Sequence, residues 1–160
     1  MHSYILQITQ DPPGKEAWVT SEYLSEHPDF LPIADAVGDM EDRDGAIQCF
    51  GSWLARNKLG TMFGDSFVLA PEAAEVYFFG RFTAFQQAVF DLRKVEKGQF
   101  LHEHDLLRKL IDNLEQIFTN KHTPYVLLAD QVEAVPLDTF MRKAKPGVPY
   151  YIGGVLDFHF

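Results

Sequence analysis

Two segments rich in β-branched and aromatic residues stand at opposite ends of the sequence, and they constrain the fold more than anything between them. "HSYILQIT" at 2–9 runs into "QDPPG", where two prolines and a glycine stop any ladder. "PYYIGGVLDFHF" from residue 149 onward reads as a second strand, with Gly153 and Gly154 marking a bulge or turn. What lies between them is mostly helical in pattern. Strands at both ends with helices clustered between lead to an α+β fold: a single domain over residues 1–160, its helices packed on one face of a mostly antiparallel sheet. A chain of 160 residues buries roughly two thirds of its unfolded surface, so one core suffices.

The helical patterns differ in clarity. Ile47, Phe50, Trp53 and Leu54 recur at helical spacing behind Asp44, which can cap, and predict a helix over about 44–57. Pro71 and "EAAE" open a longer one, over about 72–96, apolar on two sides and therefore expected at the centre of the fold. Its rival is a hairpin in which "EVYFFGRF" is a strand. Leu106, Leu107, Leu110, Ile111, Leu114, Ile117 and Phe118 mark the cleanest stripe, over about 104–119. "SFVLA" at 66–70 and "PYVLLADQV" at 124–132 read as strands, and "LDTFMRKAK" as a short helix ended by Pro146 and Gly147. "NKLGTMFGDS" reads as a turn, and residues 14–43 show no period.

Charge narrows the choice of function. The formal net charge is -9, and nine acids against the single base Arg43 between Glu16 and Asp44 account for nearly all of it. Direct nucleic-acid binding needs clustered Lys and Arg and is not expected. No window is long and apolar enough for a membrane span, and the sequence "MHSYILQITQ" has no secretory character, so a cytoplasmic setting without membrane attachment is expected. Cys49 is the one cysteine; it excludes an intramolecular disulfide and, beside Phe50, reads as an inert buried thiol.

The candidate sites are few. "DMEDRDG" at 39–45 resembles a calcium loop only superficially, because Gly45 in the sixth position would put Met40 and Gly51 where ligands belong. Asp39, Glu41, Asp42 and Asp44 are better read as a surface for a protein partner with a basic face. In "FLHEHD", His102 and His104 share a side only in extended chain, and a metal would need a further ligand from His2, His27, His122, His159 or a distant carboxylate. No cofactor motif is present: "GTMFGDS" matches neither phosphate-loop pattern. Tyr150 and Tyr151 alternate across a strand, placing one in the core and leaving the other as a contact anchor.

The resulting expectation is a small non-catalytic protein-binding module, of accessory, inhibitor or immunity-like type, using segment 16–44. A second reading is a small-ligand protein or enzyme with a pocket beside the aromatic helix and His102 and His104. A third is a homo-oligomeric structural subunit joined through surplus aromatics such as Phe79, Phe90 or Tyr151.

Overall fold

The structure is a computed structural model, and it describes residues 2–25, 36–118, 124–128 and 134–159. The fold is α+β, with a seven-stranded, mostly antiparallel sheet. Within it the residues cluster into two compact units: residues 1–74 with 122–160, which hold the sheet, and residues 75–121, whose described part is mainly helical.

In the sheet unit the two end segments pair with each other. Strand β1 (His2–Thr9) runs antiparallel to the C-terminal strand β7 (Pro149–His159), with Ile5 opposite Leu156 and Ile8 opposite Ile152. The register slips between Leu6 and Ile8, where Gln7 stands against Gly153 and Gly154, so the glycine pair is the bulge that its composition suggested. On its other edge β7 is shared by two short strands. β2 (Ala36–Asp39) takes Leu156 to His159, and β4 (Ser66–Leu69) takes Pro149 to Tyr151.

The edge strand β3 (Gly60–Phe63) forms a hairpin with β4 around Gly64, whose φ of 60° is the left-handed conformation that a tight two-residue turn requires. "NKLGTMFGDS" is thus a strand as well as a turn. β5 (Tyr125–Leu128) lies parallel to β1 and antiparallel to β6 (Ala134–Pro136). The remainder of the strand expected to reach residue 132 lies outside the described residues.

Alternation along these strands sends side chains to two faces. On one face, Phe50 of helix α2 (Arg43–Arg56) and Phe140 of helix α6 (Leu137–Lys143) meet Phe67 edge to face, and Tyr150 stacks on the same ring at 5.6 Å. On the other, Ile5, Leu127, Leu156 and Phe158 pack around Leu24 of the short helix α1 (Ser21–Ser25). The principal helices of this unit share one face, and the segment around α1 closes the opposite one.

The helical unit holds most of α3 (Ala73–Arg93), all of α4 (Lys97–His102) and all of α5 (His104–Phe118). The helical reading of "EVYFFGRF" therefore holds over the hairpin. The central position expected for this helix does not: Ala73 is its one buried residue, and Phe79, Phe82 and Phe90 are exposed. A helix apolar on two sides can place only one of them against α5 in a unit this small, which leaves the second uncovered.

Candidate functional site

The lone base of the acidic segment sits where the sheet is interrupted. Between β4 and β2, the edge of β7 at Ile152 and Gly153 has no neighbouring strand among the described residues, and its carbonyls need donors. Arg43, in the first turn of α2, supplies them: Nε donates to the Gly153 carbonyl and Nη2 to that of Ile152, each at 2.9 Å. Nη2 also donates to the Asp65 carboxylate at 2.9 Å, and the guanidinium lies over the Trp18 ring, 4.0 Å from its centroid. With only 15% of its side chain exposed, Arg43 is an internal brace.

Across the strand, Gln7 answers the same bulge. Its Oε1 accepts from the amides of Gly154 at 2.7 Å and Val19 at 3.0 Å, and its Nε2 donates to the Ala17 carbonyl at 2.9 Å. All three bonds go to backbone, which is how a glutamine remains 93% buried without cost.

The acidic candidates separate under this geometry. Asp39 accepts from the Ser21 amide at 2.7 Å and so holds the start of α1. Asp42 is the N-cap of α2, accepting from the Gly45 amide at 2.9 Å, and therefore takes the capping place assigned to Asp44. Asp44 is the second residue of the helix, with its side chain 84% exposed, and Glu41 is exposed just before the cap. Glu16 and Glu22 are exposed, while Glu26, Asp29 and Asp35 lie outside the described residues. All four carboxylates in the proposed surface are exposed, but Asp39 and Asp42 are committed to backbone amides and Asp44 lies 3.4 Å from Arg43 Nη1.

Other candidates move as well. Tyr150 is buried, ringed by Phe67 and Phe140, with its hydroxyl accepting from the Lys145 amide at 2.7 Å; its role is packing, and Tyr151 is half-buried. Cys49, expected in the core, is exposed, because the buried stripe of α2 is Ile47, Phe50, Gly51 and Leu54 and position 49 turns away from it. Burial, and less strongly the charge of an ionised Cys49, pushes the Tyr4 hydroxyl above its ordinary value. His102 ends α4 and His104 begins α5, with Glu103 between them as the cap, and both imidazoles are exposed. Among the described residues no three His, Cys, Asp or Glu side chains converge on one point. His27 and His122 fall outside those residues.

The feature that sequence reasoning underweighted is the outer face of α3. At 100° per residue, Val76, Phe79, Phe82 and Phe90 fall within an arc of about 120°. They are 45%, 69%, 55% and 51% exposed. The opposite side of the helix turns toward α5: Phe85 and Phe118 meet edge to face at 5.9 Å, and Ala84, Ala88, Leu110 and Ile117 line a groove of about 360 Å³ between the two helices. Phe100, Leu101 and Ile111 add further exposed apolar side chains within the same unit. The signal was present in the two-sided apolar pattern of 72–96, which was assigned to central burial.

The chain matches no protein-family model, no curated protein and no solved structure.

Proposed function

We propose that this chain is a non-catalytic protein-binding module whose principal contact surface is the outer face of α3. The observation that carries the reading is the run of Phe79, Phe82 and Phe90, each more than half exposed on one side of a single helix. These three side chains together with Val76 present on the order of 400 Å² of apolar surface, within the range at which an exposed patch marks an interaction site. Aromatic rings lose little rotamer freedom on contact, which makes them effective anchors.

The test is an affinity capture from lysate at low and moderate salt, comparing the wild-type chain with Phe79→Ser/Phe90→Ser. A partner retained by the wild type and lost in the double variant is expected. Identical retention by both would remove α3 from the reading.

A second surface has an observation of its own. Asp44 and Glu41 are exposed at the start of α2, with Asp65, 55% exposed, nearby; Arg43, paired with Asp44 at 3.4 Å and with Asp65 at 2.9 Å, offsets part of their charge. This is the part of segment 16–44 that suits a basic protein face, through orientation and association rate more than through affinity. Glu41→Gln/Asp44→Asn is the variant that tests it, because Asp39 and Asp42 hold backbone and their neutralisation would perturb the fold.

A further inference from the structure

We infer that the occupant of the α3 face is a second copy of this chain, docked antiparallel about a two-fold axis near Thr83 and Gln86. The inference rests on the reading of that face as a contact surface and adds the partner. It comes from how charge is distributed along the apolar stripe.

Between Glu75 and Arg93 the outer arc of α3 carries Val76, Phe79, Phe82, Thr83, Gln86 and Phe90 and no ionisable group. Glu75 closes the stripe at the N-terminal end; Arg93 and Lys94 close it at the C-terminal end. An acid in the first turn and a base in the last also suit the helix dipole, which accounts for their positions along the axis. The dipole does not require them to lie on the apolar arc, where both do. A face that is acid at one end, apolar in the middle and basic at the other is complementary to itself when reversed.

A two-fold axis imposes that reversal, since each residue then meets the partner's residue at mirrored sequence distance from the centre. Glu75 is brought opposite Arg93 and Lys94 of the other copy, and Phe79 beside Phe90. Lys94 already lies over the Phe90 ring, 4.0 Å from its centroid, so the cation is held at the rim of the patch. A parallel arrangement would set like charges together at both ends.

The area suits a modest dimer. About 400 Å² of apolar surface, at the roughly 60% apolar share usual in interfaces, corresponds to about 700 Å² per copy. Stable complexes bury about 800 Å² per partner, so association in the micromolar range is expected.

The experiment is sedimentation equilibrium of the full chain from about 5 to about 500 μM, with four variants beside it. The wild type dimerises with a dissociation constant of tens of micromolar. Glu75→Lys weakens it at least about fivefold, Arg93→Glu/Lys94→Glu does the same, and the combination of all three returns it to within about twofold of wild type. These positions are exposed, and circular dichroism checks that each variant keeps its helix content. Phe79→Ser weakens the dimer at least about tenfold.

A dimer indifferent to these residues places the interface elsewhere and overturns the inference. Weakening by both single-end variants without recovery in the combination overturns the antiparallel arrangement. A monomer at every concentration overturns the second copy, and the capture experiment then decides the underlying reading: loss of a partner on Phe79→Ser/Phe90→Ser keeps the contact face, whereas no loss removes both. Binding to zwitterionic lipid vesicles through the same phenylalanines would replace the second copy with a lipid surface.

Discussion

Arg43 donates to the carbonyl of Ile152 at 2.9 Å, joining the first turn of α2 to the last strand of the sheet across 109 positions of sequence. With its bond to Gly153, it fills the interval along β7 where neither β2 nor β4 reaches. Arg43→Met keeps the packing over Trp18 and deletes the donors, leaving two carbonyls unpaired. A loss of about 3 kcal/mol is expected in urea unfolding, as a shifted midpoint with the slope retained. Arg43→Lys is expected to recover little, since one ammonium cannot reproduce the fork that reaches two carbonyls and a carboxylate.

The glycines of the sequence should respond in opposite directions to the same substitution. A Cβ on Gly154 would meet the backbone of Val19, and one on Gly153 the side chain of Gln7. Gly154→Ala is expected to cost about 2 kcal/mol or more, because backbone cannot yield as a side chain can. Gly80 lies in the middle of α3 with nothing within 4 Å of its would-be Cβ, so Gly80→Ala should stabilise the chain by up to about 1 kcal/mol. Thermal unfolding of the two variants compares them directly.

The carboxylates of the α2 entry can be told apart by stability. Asp42→Ala removes the cap on the Gly45 amide and is expected to cost about 1 kcal/mol. Asp44→Ala removes an exposed charge and should change stability by less than about 0.5 kcal/mol. Equal effects in chemical denaturation would contradict the assignment of the cap to Asp42.

Alkaline pH offers a test of the Tyr4 environment. Burial first, and the charge of Cys49 second, raise its hydroxyl above the ordinary value of 10.0, so the folded state favours the neutral phenol. The stability this contributes is complete below about pH 10 and is lost as pH rises through the higher folded value. Tyr4→Phe should flatten that part of the alkaline stability profile, and ultraviolet difference spectra should lose one tyrosine that titrates above the ordinary value.

What the sequence disclosed follows the range of the forces involved. β1 was legible because its residues and the "DPPG" stop are contiguous, and α5 because Leu107, Leu110, Leu114 and Ile117 repeat on one face. The bulge was legible because two adjacent glycines in a strand have few other uses. β2 and β3, four residues each, were not: strands that short carry too little pattern, and β3 begins and is followed by glycine. Asp42 displaced Asp44 as the cap by two positions, a shift that the acid-rich run "EDRD" could not resolve. The role of Arg43 was hidden for a different reason. Its partners are set by the gap between two strands, a property of the assembled sheet alone. Sequence likewise shows that α3 has two apolar sides, whereas the size of the unit around it determines that one stays uncovered.

Strand β7 pairs with β1, β2 and β4, yet it follows all three in the order of synthesis. On a ribosome, β1 and the β3–β4 hairpin emerge well before β7 and wait for it with an edge open, while the helical segment 75–118 can form from local contacts as it appears. The sheet has to close in one late step, when Gly153 and Gly154 arrive to receive Gln7 on one side and Arg43 on the other. A chain halted before that step would hold β1, β2 and β4 each without the strand they share, and chaperones that shield strand edges would have their longest opportunity there.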